Sequence, residues 1–298
     1  VIPDVHTRFE PARPLDLGLT LATIGERRSL RISPGEAWRA TLTPDGPATV
    51  HLVQADGAVH VEAWGPGASW AASHAAALCG EQDDDAGFAP RHPFLEQVHK
   101  RHPGMRIAKT SAVFEALVPA VVGQKVAGAE SRRSYERLVD ALGEAAPGPV
   151  RLTIPPSARV LARTPYWTFH SFGIERRRAN VIIGAARSAG RLEETVSMDL
   201  ASAYMRLQAF QGIGPWTAAL VASAALGDPD AVPLGDYNLP HSVGFALEGT
   251  PRSTDERMLE LLEPYRGHRA RVLRLIAISG IAAPRFGPRM PLRDLANS

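Results

Sequence analysis

Two short stretches of this 298-residue chain carry side chains whose types and spacing suit chemistry. The first is Gly212-Ile213-Gly214-Pro215-Trp216-Thr217-Ala218. The second is Gly235-Asp236-Tyr237, in which Asp236 follows Gly214 by 22 residues. A helical pattern through Leu207 and Phe210 stops at the Gly-x-Gly turn and restarts with Pro215 at a first helical position. Glycine permits the positive φ of a tight hairpin, and proline's fixed φ and missing N–H suit a helix start. The N–H groups beside such a turn face outward at a helix N-terminus, where a phosphate can sit. A phosphate cradle with a carboxylate at a fixed offset points to work on a nucleic-acid backbone. The commoner use of an aspartate before a helix is as a plain N-cap, and that reading stands beside the catalytic one.

The elements that must hold these residues change character near residue 92. Up to about Ala89 the chain reads as strands and turns. Trp38–Leu42 and Ala48–Val53 flank the turn Pro44-Asp45-Gly46-Pro47, and Val59–Trp64 alternates before Gly65-Pro66-Gly67. A helix is expected over Trp70–Cys79, and the acidic Glu81–Asp85 patch reads as a loop near the boundary. From Pro93 helices dominate. Ser111–Val126, apolar on a broad face, is expected at the centre of the core. Glu130–Leu142 is amphipathic, and Pro147–Pro156 reads as a linker. Further helices are expected at about Arg176–Ala189, Leu200–Phe210, Pro215–Leu226, Tyr237–Leu247, Thr254–Leu262 and His268–Ile278. The division is therefore 1–92 and 93–298, with the hairpin at 207–226 and a Pro/Arg-rich tail from Pro284.

Composition narrows the class. With 45% apolar and 21% charged residues the chain can build packed cores. No apolar run approaches the roughly 20 residues needed to span a bilayer, and Val1–His6 shows no signal-peptide pattern, so no membrane partner is expected. The single cysteine, Cys79, can neither close an internal disulfide nor alone ligate an iron–sulfur cluster, which fits a reducing cytosol. Net charge is +2, but residues 1–100 hold 8 Lys/Arg against 13 Asp/Glu, and residues 101–298 hold 25 against 18. The hairpin thus lies in the basic part. Arg176-Arg177-Arg178 and Arg266/Arg269/Arg271/Arg274 are candidate DNA contacts on basic helices, although charge runs are usually solvated faces. No His/Cys cluster has convincing metal-ligand spacing.

The hairpin and the Gly/Pro-rich loop ending in Asp236 resemble the signature of the HhH-GPD base-excision DNA glycosylases. Pro103-Gly104-Met105-Arg106-Ile107, Phe114-Glu115-Ala116, Val122-Gly123-Gln124 and Leu262-Glu263-Pro264-Tyr265-Arg266 are similar to the bacterial 3-methyladenine DNA glycosylase II (AlkA-like) branch, from Pro103 to about Gly287. The resemblance implies a mainly α helix-hairpin-helix fold with an N-terminal α+β, TATA-binding-protein-like appendage. It implies a monomer acting on damaged double-stranded DNA in the bacterial cytoplasm, at the nucleoid. The implied reaction is hydrolysis of the N-glycosidic bond of alkylated purines such as 3-methyladenine and 7-methylguanine, by base flipping.

In that reading Asp236 stabilises the oxocarbenium-like transition state and directs water. Trp216 stands where bifunctional relatives have a Schiff-base lysine, so a monofunctional enzyme without lyase activity is expected. Of the three lysines only Lys125 keeps lyase chemistry open. Trp216 and Tyr237 match aromatic positions of the base pocket, and Leu220 and Ile276 fall where well-known members carry further aromatics. Gln124 and Lys125 match the segment that enters the gap left by the flipped base, with Lys125 where a leucine wedge is common. Asn238 replaces a frequent histidine. Gln211, Gly212, Ile213 and Gly214, assisted by Thr217, would hold the DNA backbone, with Na+ or K+ on the carbonyls of Gln211 and Ile213. No iron–sulfur cluster or catalytic metal is expected. Rival readings are the same fold acting on deaminated or oxidised bases, and a non-catalytic module binding damaged DNA.

Overall fold

Alternation of apolar and polar side chains decides the first third of the chain. The computed structural model describes residues 1–24 and 28–284, and the tail past Pro284 lies outside the described residues. Strands β1 (Val5–Phe9), β2 (Leu30–Ser33), β3 (Glu36–Thr43), β4 (Gly46–Ala55) and β5 (Ala58–Trp64) form an antiparallel sheet of order β1-β5-β4-β3-β2. In the register Ala37, Leu52 and Val61 lie opposite one another, as do Val50 and Ala63, so one face is apolar. Helices α1 (Leu17–Leu21), α2 (Ala68–Ser73) and α3 (Ala75–Leu78) cover it through Leu17, Leu21, Ala68, Ala72 and Leu78. The other face carries the row Trp38–His51–Glu62, with the Trp38 and His51 rings stacked at 3.7 Å.

The rest is helical. Helix α4 (Pro93–Arg101) begins where His92 accepts the Phe94 N–H on its Nδ1. Next come α5 (Val113–Val122), α6 (Gly128–Leu142), α7 (Ala158–Arg163), α8 (Arg176–Arg187), α9 (Ala189–Glu193) and α10 (Leu200–Gln208). They are followed by α11 (Pro215–Val221), α12 (Leu239–Glu248), α13 (Asp255–Leu262) and α14 (Arg269–Ile278). Ala222–Leu226 continues α11 as a π turn. The segment read as a plain linker contains β7 (Thr153–Ile154), which pairs with β6 (Glu144–Ala145) to form a ribbon. Leu152 and Ile154 carry it onto Trp38 and Ala40, on the sheet face that α1–α3 leave uncovered. Helices α7 and α9 and the 3-10 turn Tyr166–Phe172 went unforeseen, being too short to show a period.

Helix α5 is buried along nearly its whole length, including Val113, Phe114, Leu117, Val118, Val121 and Val122. It packs among α6, α8 and α11. A helix inside a core cannot leave its end groups to water. Glu193 Oε2 and Oε1 accept from Val113 N at 3.0 Å and Phe114 N at 2.8 Å, and burial raises the Glu193 pKa despite these bonds. At the other end Arg178 donates to Val122 O at 2.5 Å. In the first turn Glu115 accepts from Arg39 at 2.8 Å and Thr41 at 2.6 Å, tying the helix to β3.

The acidic loop at the boundary is also a joint. Asp83 is buried, its Oδ1 2.6 Å from the buried Arg271 of α14 and its Oδ2 accepting from Ile107 N at 2.9 Å. Arg106, also buried, pairs with Glu81 and donates to Pro14 O at 3.0 Å. Arg274 donates to Arg106 O at 3.3 Å, and burial pushes its pKa down to about 10. Two of the four arginines read as DNA contacts on α14 and the turn before it are therefore inside. The other two are tied, Arg269 to Asp230 at 2.5 Å and Arg266 to Glu263 at 2.8 Å. Asp83→Ala should cost about 3–5 kcal/mol, because a buried guanidinium is left without its carboxylate. Asp140→Ala, at the exposed Arg28–Asp140 pair, should cost no more than about 1 kcal/mol. Urea midpoints of the two variants check the contrast.

Candidate active site

The hairpin turn hangs on one apolar side chain. Ile213 is buried in the core that holds α5 and α8, whereas Gln211, Gly212 and Gly214 are exposed. Gly212 has φ +86°, and a Cβ there would overlap Val181 of α8, so no other residue fits the turn. Gly214 is the N-cap of α11 and Pro215 its first residue. The sequence reading of the turn and its exposed backbone holds. Thr217 is a correction: it is buried, and its hydroxyl accepts from Gln124 at 2.9 Å, so it braces the hairpin from inside rather than meeting DNA.

Gln124 is also not poised in a gap. Its Nε2 donates to Gly212 O and Thr217 Oγ1, both at 2.9 Å, which fastens the end of α5 to the turn. Lys125 follows with φ +57°, exposed and in the left-handed region that favours glycine. Next to it, Gly123 lies against the Trp216 ring, the Cη2 atom being 3.4 Å from where a Cβ would stand.

Trp216 and Asp236 meet. Trp216 Nε1 donates to Asp236 Oδ2 at 3.1 Å, while Oδ1 accepts from Asn238 N at 2.8 Å and Leu239 N at 2.9 Å. Helix α12 starts two residues later than its pattern suggests, at Leu239. Asp236 serves as its side-chain cap from the loop, so the capping and site readings hold together. One oxygen closes the helix start and the other turns to the indole. Gly235, at φ +85° with its N–H donating to Asp255 Oδ2 at 2.8 Å, sets the loop.

These residues line an open cleft of about 2500 Å³ together with Leu220, Leu234, Tyr237, Asn238 and His241. Tyr237 is 83% exposed, its ring edge-on to His241 at 6.0 Å. Leu220 is half-buried on the cleft wall. Ile276 does not belong to it: α14 turns this side chain inward against Leu95, Met105 and Val243, where it is 2% exposed. Arg178 leaves the list of DNA contacts because it is buried and closes α5, and Arg176 lies over the Tyr166 ring at 4.6 Å. His241 was missed. It sits in the first turn of α12, and its Nδ1 accepts from Ser253 N at 3.1 Å; only its nearness to Asp236 in sequence could have flagged it. Cys79 is buried, and burial pushes its thiol up to about 12, so it is no nucleophile. Among the described residues no group of three or more His, Cys, Asp or Glu could hold a metal ion, and no helix is long and apolar enough to cross a membrane.

The whole arrangement has the fold of the helix-hairpin-helix DNA glycosylases. A 3-methyladenine DNA glycosylase from Archaeoglobus fulgidus superposes with a TM-score of 0.76 over 92% of this chain and 98% of that one, at 21% identity. In sequence the chain is similar to the AlkA-like 3-methyladenine DNA glycosylases. It is 29% identical over 185 residues to the DNA-3-methyladenine glycosylase of Bacillus subtilis, covering 60% of this chain and 61% of that protein. It is 28% identical over 177 residues to DNA-3-methyladenine glycosylase 2 of Escherichia coli, covering 58% and 61%. The match thus spans about three-fifths of these relatives' length. No protein-family model matches the chain.

Gln124→Ala should release the hairpin without unfolding the core, since it removes two hydrogen bonds that no other described side chain makes. Amide exchange at Ile213, whose N–H donates to Phe210 O at 3.1 Å, should accelerate while the α5 amides stay protected. Unchanged exchange at the turn would show that Ile213 holds it alone.

Proposed function

We infer that this chain is a monofunctional DNA glycosylase that removes alkylated purines, 3-methyladenine and 7-methylguanine, from duplex DNA. The observation that carries the reading is the Trp216–Asp236 hydrogen bond. It sets a carboxylate in an open cleft beside a hairpin whose backbone suits phosphate. Similarity to proteins named as 3-methyladenine glycosylases supports the substrate class.

The proposed chemistry follows from this geometry. Exposed amides at Gly212 and Gly214 would hold the DNA backbone, and the damaged nucleotide would leave the stack and enter the cleft. A cationic methylated purine would be attracted to the faces of Tyr237 and Trp216. As the N-glycosidic bond lengthens, positive charge grows on the deoxyribose, and the Asp236 carboxylate would stabilise it and orient the attacking water. Three N–H donors fix that carboxylate before substrate arrives. An indole cannot form a Schiff base, so the product would be an intact abasic site. Lys125, exposed beside Gln124, would contact a phosphate next to the flipped nucleotide, since lysine cannot wedge into the stack as leucine does. The carbonyl oxygens of Gln211 and Ile213 accept no hydrogen bond among the described residues, which suits Na+ or K+, hard cations that take oxygen ligands.

Asp236→Asn should abolish excision, a loss of at least about 100-fold for a displaced charge-stabilising group, while duplex binding persists. Mass spectrometry of bases released from methylated duplex checks it. Wild-type release by the variant would remove Asp236 from the mechanism, and no release by the wild-type protein would turn the search to deaminated or oxidised bases. Borohydride should trap no covalent complex with DNA; a trapped complex would make the enzyme bifunctional.

A further inference from the structure

The structure sorts the arginines that the sequence left undifferentiated. Those of the C-terminal helical region are tied to Asp83, Asp230, Glu263 and a backbone carbonyl, and Arg178 is spent on α5. In the cleft wall, Lys125, Arg132 and Arg177 make no ion pair or hydrogen bond with any described residue. Of the three carboxylates that line the cleft among the described residues, Glu115 pairs with Arg39 at 2.8 Å, Glu175 pairs with Arg178 at 3.6 Å, and Asp236 accepts from Trp216 Nε1, Asn238 N and Leu239 N. The positive charge of these three side chains is therefore uncancelled at the place where the hairpin opens.

Their placement is continuous with the turn. Arg177 precedes Val181 by one helical turn on α8, so both project from the same face, and Val181 is the side chain against which Gly212 rests. Arg132 follows Ser131 on α6, whose hydroxyl lies 3.3 Å from the Cβ position of Gly123. Lys125 stands two residues after that glycine. Three cations from three segments thus border the turn, and their charge-assisted N–H donors suit an oxygen-rich anion.

We propose that Lys125, Arg132 and Arg177 form a phosphate-binding rim that extends backbone contact beyond the hairpin to further phosphates of the duplex. The proposal rests on the DNA reading above, and the following experiment separates the two. Fluorescence anisotropy of the full chain with an undamaged labelled duplex is measured over a salt series for wild type, Arg132→Gln, Arg177→Gln, the double variant and Arg133→Gln. Arg133 is exposed on α6 but outside the cleft wall and serves as the control for net charge.

Each rim substitution should reduce the slope of log Kobs against log salt by about 0.9, and the double variant by about twice that. Arg133→Gln should leave the slope at its wild-type value, and thermal melting should not move for any variant. Unchanged slopes in the rim variants, with binding retained, overturn the rim and leave the glycosylase reading intact. Equal losses for Arg133→Gln also overturn it, by showing a diffuse field. A wild-type protein that binds no duplex overturns both.

Discussion

The organising constraint is a helix, α5, whose two ends lie inside the core. Helix α5 is apolar almost all round, so its side chains drive it to the centre, and its unsatisfied end groups must then find partners inside. Glu193 and Arg178 supply them, each from a different helix. Because a buried end group without a partner costs about 1–3 kcal/mol, more than a typical hydrogen bond contributes, these two side chains hold α8 and α9 against α5. The consequence reaches the site. The last turn of α5 is the platform from which Gln124 grips the hairpin and against which Trp216 lies.

The two parts of the molecule are joined by charge as much as by apolar contact. The acidic excess of the first hundred residues is partly spent on buried pairs: Asp83 with Arg271, and Glu81 with Arg106. This alters what charge asymmetry means. A basic balance in the helical region does not by itself show a surface for a polyanion, because several of those cations are consumed in internal pairs: Arg271 with Asp83, Arg106 with Glu81 and Arg269 with Asp230. What matters for a phosphate is which cations remain uncompensated around the cleft.

Asp236 shows how one side chain can serve a fold and a site together. Its first oxygen accepts two N–H groups at the entrance of α12, which fixes the loop and the helix start. The second is then constrained to point toward α11, where the indole of Trp216 receives it. A carboxylate held by three donors has little freedom to reorient. Preorganisation of that kind is what stabilisation of a short-lived cation requires.

The sequence alone determined the local features. The Gly-x-Gly-Pro turn, the three central strands of the sheet, the apolar character of α5 and the offset of Asp236 all follow from φ/ψ preference and periodicity, which act over a few residues, whereas the edge strands β1 and β2 are not legible. Family resemblance added the implied roles. Only the tertiary structure decided which polar groups face solvent. Thr217 and Gln124 brace the hairpin from inside, Ile276 packs away from the cleft, and Arg271 and Arg274 are buried, because each depends on an element far off in the chain. Nothing in a helical stripe of arginines distinguishes one that will meet Asp83, 188 positions away, from one that will meet water. Burial and pairing are properties of packed surfaces, and the sequence holds them only through the fold.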